Sequence, residues 1–190
     1  MMTLILGGSG SGKSAYAEQY TMDIAKGNKK YYLATMQVSD VDKETQTRIE
    51  RHRMMRHGKG FITIEQPLSI SGVLQKMEMT DSDVKAENTA LLECMSNLTA
   101  NEMFNGNIPQ SHKVVTDKII REIQLLNKKL KHLVIVSNNV FEDGIRYDED
   151  TTEYIKALGS INEQLAVMAD KVVEVVVGIP LCIYDADIAE

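Results

Sequence analysis

The sequence predicts an α/β fold in which helices cover both faces of a mostly parallel sheet. Short apolar runs typical of buried strands alternate with longer helical segments along the 190 residues. A glycine-rich turn joins the first strand to the first helix. The length suits one domain with one core, and no repeat, linker or low-complexity tract divides the chain. We therefore expect a single domain over residues 1–190.

The first half of the chain is predicted to contain four strands and three helices. Thr3–Leu6 is an apolar run that opens into glycines, and Phe61–Glu65 alternates as strands do. Gly27-Asn28 terminates the first helix, and Asp42 is suited to cap the second. The predicted strands are Thr3–Leu6, Lys30–Ala34, Phe61–Glu65 and Ala90–Glu93, and the predicted helices are Lys13–Ala25, Lys43–Arg56 and Ser69–Met77.

The second half is predicted to begin with an irregular segment, Ser96–Gln110, because asparagines, a glycine and a proline interrupt it. Two helices follow, and the first carries apolar residues at helical spacing on one side. Three strands are expected, and the last is expected to pair with the one before it. The predicted helices are His112–Leu130 and Thr151–Ala169, and the predicted strands are His132–Ser137, Lys171–Val177 and Leu181–Tyr184.

Composition excludes several function classes. The formal net charge of −6 argues against binding to nucleic acid or to an anionic membrane, since both require a basic surface. Two cysteines, Cys94 and Cys182, are too few for a disulfide framework or a zinc site, so we expect a reducing cytosol. No apolar run reaches the roughly 18 residues of a membrane span.

One motif predicts the binding of a nucleotide phosphate. The pattern G-x-x-x-x-G-K-S/T defines a P-loop, in which backbone N–H groups and a helix N-terminus surround the anion. Lys13 can reach the β- and γ-phosphates, and the Ser14 hydroxyl can bind Mg²⁺. A flexible glycine-serine turn is the alternative. The preceding strand and the following helix favour a P-loop that binds the phosphates of ATP or GTP. The motif consists of Gly7, Gly8, Ser9, Gly10, Ser11, Gly12, Lys13 and Ser14.

Glu93 is the candidate acidic partner for the metal ion. It follows the apolar run Ala90–Leu92, so its side chain is expected at the carboxyl edge of the sheet, where ligands of α/β proteins bind. An ordinary acidic residue at a strand end is the alternative.

A histidine lies among arginines on the predicted helix Lys43–Arg56. Arg48, His52 and Arg56 are four residues apart and share a helix face, and Arg53 is adjacent. Neighbouring positive charges favour a neutral imidazole, which could attack a nucleotide α-phosphate while the arginines stabilise the developing charge. A solvated charged face with an incidental histidine is the alternative, and spacing alone favours it.

The chain resembles the bifunctional adenosylcobinamide kinase/adenosylcobinamide-phosphate guanylyltransferase family of cobalamin biosynthesis. The P-loop alone is common to many proteins, whereas the ordered set of matching segments is far more specific. That set comprises Gly7–Ser14 with Ala17-Glu18, Tyr32-Leu33-Ala34-Thr35, Arg48-Ile49 with His52-Arg53, Leu91-Leu92-Glu93-Cys94, Val136-Ser137-Asn138, Asn162 with Leu165-Ala166, Ala169-Asp170, and Gly178-Ile179-Pro180-Leu181.

The resemblance implies a RecA-like P-loop fold, a homotrimer and a two-step activity. Such enzymes phosphorylate the aminopropanol hydroxyl of adenosylcobinamide with ATP or GTP, and then transfer GMP from GTP through a guanylylated histidine. His52 matches the nucleophile, which reverses the preference drawn from spacing. Lys13 and Ser14 carry over as phosphate and Mg²⁺ residues and Glu93 as the acidic partner. We expect Arg48, Arg53 and Arg56, which surround the histidine, to bind the nucleotide as well.

The chain departs from the family pattern at several places. Asn138-Asn139-Val140-Phe141 replaces Asn-Glu-Val-Gly, Arg56-His57 replaces Arg-Pro, and Phe61 stands for a tryptophan with a one-residue shift. The segment Ser96–Phe104 is less apolar than in the family. We expect these changes near the corrinoid and second-substrate surface rather than at the phosphate loop. A P-loop small-molecule kinase of other specificity, or a divergent homologue lacking one or both activities, is the alternative.

Overall fold

A computed structural model describes residues 1–37, 58–80, 87–139 and 147–188, without the side chains of residues 78–80. The predicted helix Lys43–Arg56 therefore lies outside the described residues.

Seven strands form one sheet in the order β3-β2-β4-β5-β1-β6-β7. All neighbouring pairs are parallel except β6 and β7, which are antiparallel. The prediction of a mostly parallel sheet with a final paired strand is confirmed. The strands are β1 Met2–Leu6, β2 Lys30–Ala34, β3 Phe61–Glu65, β4 Thr89–Glu93, β5 His132–Val136, β6 Lys171–Val176 and β7 Ile179–Asp185.

Five α-helices occur within the described residues, and a short 3₁₀ turn, Ile70–Gly72, leads into the second of them. Asp148 caps the last helix by accepting the Thr151 N–H at 2.8 Å. In the described part of the chain, no helix has both the length and the apolar character needed to cross a membrane. The helices are α1 Lys13–Ala25, α2 Val73–Thr80, α3 Met95–Phe104, α4 His112–Lys129 and α5 Glu149–Met168.

The two faces of the sheet bury separate apolar clusters. Neighbouring strand residues point to opposite faces, so Leu4 joins the cluster formed with α2 to α5, while Ile5 joins the cluster that includes Ala17 of α1. The central strand β5 is apolar on both faces for this reason, and Leu133, Val134, Ile135 and Val136 are all fully buried. Helices on both faces are thus confirmed.

The prediction of an irregular segment Ser96–Gln110 is wrong from Ser96 to Phe104, since Met95–Phe104 is helical. Tertiary packing outweighs the poor helix propensity of asparagine here, because Leu98 and Met103 are fully buried. The Asn101 side chain donates to the carbonyls of Thr35 and Pro67 at 2.7 and 2.9 Å. These bonds join the ends of β2 and β3, so α3 holds the sheet edge on which the candidate site lies.

A truncation in α3 tests this packing. Leu98→Ala is expected to lower the free energy of unfolding by about 2–5 kcal/mol, because it empties a closed part of the core. Phe104→Ala is the control, since Phe104 is 44% exposed, and should change that free energy by less than about 1 kcal/mol. Urea unfolding followed by circular dichroism measures both. Equal and small effects of the two substitutions would show that α3 is not packed as described.

Candidate functional site

The glycine-rich loop lies at the carboxyl edge of the sheet, between the end of β1 at Leu6 and the start of α1 at Lys13. A Cβ atom on Gly7 would lie 2.6 Å from both the Ser11 Oγ and the Val175 carbonyl oxygen, so no larger residue fits. Gly10 and Gly12 have φ of 72° and 89°, in the left-handed region that favours glycine. The sequence adopts this loop because glycine stands at each of these positions.

The ammonium of Lys13 lies over this loop. The Lys13 side chain is 9% exposed and its Nζ donates to the Gly8 carbonyl oxygen at 3.0 Å. Ser14 is half-buried in the first turn of α1. That turn contains no acidic residue, and the N-cap Gly12 supplies no side-chain cap. The helix N-terminus can therefore receive an anion without competing with a carboxylate.

Glu93 ends β4 on the same edge of the sheet, with β5 between it and β1. Its Oε2 is buried and has no hydrogen-bond partner among the described residues. A buried carboxylate oxygen is costly without a partner, so this atom fits a role as ligand of a cation or of a bound group. The Glu93 carboxylate and the Ser14 hydroxyl are both hard oxygen donors, the type that Mg²⁺ prefers.

The described residues contain no cluster of three or more histidine, cysteine or carboxylate side chains that could hold a metal ion alone. In nucleotide sites Mg²⁺ commonly binds through one or two protein oxygen ligands together with phosphate oxygens and water, and such a site needs no such cluster.

A hydrogen-bonded network that the sequence did not reveal fixes the backbone after Glu93. The Thr35 hydroxyl donates to the Cys94 carbonyl at 2.7 Å and accepts the Cys94 N–H at 2.8 Å. The Cys94 thiol lies 2.9 Å from the Ser96 hydroxyl. Burial raises the pKa of the Cys94 thiol, and the bond with Ser96 opposes the rise. Cys94 is therefore a structural thiol rather than a nucleophile.

Hydrogen bonds to a side chain of α5 hold the backbone after β5 in a similar way. The Ser137 hydroxyl donates to Asn162 Oδ1 at 2.6 Å, and Asn162 Nδ2 donates to the Asn138 carbonyl at 3.2 Å. Asn138 Nδ2 in turn donates to the Ser96 hydroxyl at 2.9 Å. The sequence analysis places Ser137, Asn138 and Asn162 among the family-matching segments but does not predict these contacts, because the partners are far apart along the chain.

Asn139 belongs to the loop surroundings, so the expectation that the Asn138-Asn139 departure lies away from the phosphate loop is wrong. Its backbone N–H donates to the Gly7 carbonyl at 3.3 Å, and its Nδ2 donates to Glu174 Oε1 at 2.8 Å. A glutamate at position 139, as in the family pattern, would face the like charge of Glu174, whereas the amide bonds to it. Val140 and Phe141 lie outside the described residues.

The arginine-histidine segment of the prediction is likewise outside the described residues, and it comprises Arg48, His52, Arg53 and Arg56. The first residues described after this segment contact α1, the helix that follows the phosphate loop. Lys59 Nζ contacts Glu18 Oε2 at 2.5 Å, and the Glu18 side chain is 2% exposed. This ion pair joins the chain just before β3 to α1, in the second turn after Lys13.

Residues 3–183 match the family model described as cobinamide kinase / cobinamide phosphate guanyltransferase. The chain belongs to this family. Its relatives include the bifunctional adenosylcobalamin biosynthesis protein CobU of Escherichia coli, 29% identical over 94% of this chain and 97% of the relative. The corresponding protein CobP of Pseudomonas aeruginosa is 26% identical over 95% of this chain and 96% of the relative. The family resemblance drawn from ordered motifs is confirmed.

Solved structures of other proteins share the fold. One of them, an ATPase domain, superimposes with a TM-score of 0.51 at 10% identity, covering 91% of this chain and 68% of that chain. A KaiC-like protein from Pyrococcus horikoshii OT3 gives a TM-score of 0.50 at 10% identity, over 91% of this chain and 69% of that chain. The RecA-like P-loop fold is thus confirmed.

The loop geometry generates a test with a matched pair of glycines. Gly7→Ala is expected to weaken GTP binding at least tenfold, because its Cβ would meet the Val175 carbonyl oxygen at 2.6 Å and displace the loop. Gly8→Ala is the control, since nothing lies within 4 Å of a Cβ there. Titration with a fluorescent GTP analogue measures both affinities. Comparable affinities for the two variants would contradict the described loop.

Proposed function

We propose that this chain is an adenosylcobinamide kinase and adenosylcobinamide-phosphate guanylyltransferase. It phosphorylates the aminopropanol hydroxyl with ATP or GTP, and then transfers GMP from GTP by way of His52. The observation that carries the proposal is the placement of a buried carboxylate oxygen without a partner, Glu93 Oε2, at the same sheet edge as the P-loop of a chain belonging to this family. A homotrimer and a cytoplasmic location remain predictions.

In the kinase step, the substrate hydroxyl oxygen attacks the γ-phosphorus and the bond to the β,γ-bridging oxygen breaks. The nucleoside diphosphate leaves and the hydroxyl proton goes to solvent or to a base. Lys13 is proposed to stabilise the charge on the β- and γ-phosphate oxygens, and its ammonium already lies over the loop, 3.0 Å from the Gly8 carbonyl oxygen. The loop N–H groups hold the phosphates in place as the bond to the leaving group breaks.

Ser14 and Glu93 are proposed to hold Mg²⁺. The bound ion supplies Lewis-acid charge at the phosphate oxygens. The supporting contacts are those of Thr35 with Cys94, because they fix the backbone that carries Glu93. A carboxylate held this way is pre-organised for its ligand, so little order is lost on binding.

In the guanylyl step, a neutral His52 nitrogen attacks the α-phosphorus of GTP and pyrophosphate leaves, which forms a phosphoramidate. A phosphate oxygen of adenosylcobinamide phosphate then attacks the same phosphorus and releases His52. Arg48, Arg53 and Arg56 are proposed to stabilise the developing negative charge during both transfers. Support for these four residues comes from their match to the family pattern and from helical spacing.

The departure Asn138-Asn139-Val140-Phe141 favours one alternative, a divergent homologue that retains nucleotide binding but lacks one or both transfers. Asn139 contacts the P-loop through Gly7 and keeps a local partner in Glu174. The phosphate cradle is therefore compatible with this replacement, and the alternative concerns the transfer to the acceptor substrate.

A covalent-adduct assay separates these functions. Incubation with Mg²⁺ and GTP labelled at the α-phosphate is expected to leave label on the protein, and His52→Ala should remove it. His57→Ala is the matched control and should remain labelled, while GTP labelled at the γ-phosphate should leave no adduct. The phosphoramidate should be acid-labile and alkali-stable.

Two other outcomes would each correct the proposal. Phosphorylation of adenosylcobinamide without any adduct would leave a kinase alone. Binding of GTP with neither reaction would leave a nucleotide-binding homologue.

Removal of one carboxylate tests the metal assignment. Glu93→Gln is expected to lower the Mg²⁺-dependent kinase rate about a hundredfold, because a neutral amide replaces an ionic ligand near the developing charge. The Mg²⁺ concentration that gives half the maximal rate should also rise. Glu65→Gln is the control, since Glu65 ends β3 on the same sheet edge and is exposed. An unchanged Mg²⁺ requirement in Glu93→Gln would remove Glu93 from the site.

A further inference from the structure

The turn between β6 and β7 packs against the P-loop. Val177 and Gly178 form a two-residue hairpin turn with φ of 45° and 84°, both left-handed, as in a type I′ turn. The Gly178 N–H donates to the Ser11 carbonyl at 2.8 Å, and a Cβ on Gly12 would lie 3.3 Å from Gly178 Cα. This turn is therefore a side wall of the phosphate loop.

Val177 is an unusual residue at the first position of such a turn. Its φ is positive although its side chain is β-branched, a combination that is strained, and asparagine, aspartate or glycine is typical there. The side chain is also 83% exposed, so burial within the described residues does not offset the strain. Strained conformations of this kind concentrate at ligand sites. Packing among the described residues therefore does not explain a valine at this position.

The layout of the sheet shows which part of a nucleotide would reach this wall. Glu93 lies on β4, to one side of the P-loop strand β1, and β6 lies on the other side. If the terminal phosphate and metal ion of a triphosphate are directed to Glu93, we expect its nucleoside end to cross the start of α1 toward the β6 side. Val177 stands at that end, and its neighbour Gly178 contacts Ser11 and Gly12.

We propose that the Val177 side chain packs against the nucleoside of the bound triphosphate and sets the affinity for that part of the ligand. The inference rests on the proposed function. The ligand part is the flat apolar face of a purine nucleoside, which loses contact with water against the valine methyl groups. Valine has no hydrogen-bonding group, so it cannot distinguish guanine from adenine. GTP and ATP affinities therefore depend on it equally.

Comparison of GTP with inorganic tripolyphosphate tests the proposal, because tripolyphosphate carries the phosphates without a nucleoside. Val177→Asn should relieve the turn strain and weaken GTP and ATP binding about fivefold, the loss expected for part of one apolar side chain's burial. Tripolyphosphate affinity should not change. Isothermal titration measures the three affinities. Val177→Gly, which also suits the turn, gives the same test if the asparagine variant fails to fold.

Lys26→Asn is the matched control. Lys26 also has a left-handed φ, 47°, and is exposed, but it follows α1 at the opposite edge of the sheet. Its substitution should leave all three affinities unchanged. Equal GTP affinity in Val177→Asn and the parent, or an equal loss for GTP and tripolyphosphate, would overturn the role of Val177. A parent protein that binds no GTP would instead overturn the proposed function.

Discussion

The close approach of backbone to backbone around Gly7 is the constraint on which the site depends. A side chain at Gly7 would meet the Val175 carbonyl, and one at Gly12 would press on Gly178. This close approach arises because β1 lies inside the sheet with β6 as its direct neighbour. The loop that follows β1 is therefore held against β6, and only glycine fits at position 7. The contact between Gly12 and Gly178 also places the β6–β7 turn directly beside the phosphate loop.

Around this loop, most polar side chains at the carboxyl edge have partners within the protein. Thr35, Asn101, Ser137 and Asn162 each bond to a backbone or side-chain group. Glu93 Oε2 and the Ser11 Oγ of the loop are the contrast, because both atoms are buried without a partner among the described residues. Hydrogen-bonded neighbours that fix the backbone around an unsatisfied carboxylate oxygen suit the binding of a phosphate-bound cation, since they hold the ligand atom in position.

The differences from the family pattern can now be separated by their physical surroundings. Asn139 contacts the loop and donates a hydrogen bond to Glu174. The neutral amide that replaces the family's glutamate is therefore compatible with the negative charge of Glu174. Ser96, in the segment that diverges from the family's apolar form, accepts a hydrogen bond from Asn138 and lies against Cys94. The contacts of Asn139 and Ser96 are thus compatible with an intact phosphate loop.

The sequence by itself determined the P-loop, the alternation of strands and helices, and Glu93 as the acid after an apolar strand. These follow from short-range requirements, namely glycine conformations, strand periodicity and a motif of fixed spacing. The tertiary structure alone decided that Met95–Phe104 is helical, because burial of Leu98 outweighs local propensity. It also decided that Thr35, Asn139, Glu174 and the Val177-Gly178 turn surround the site. Their partners are far apart in the chain, and only the strand order brings them to one edge.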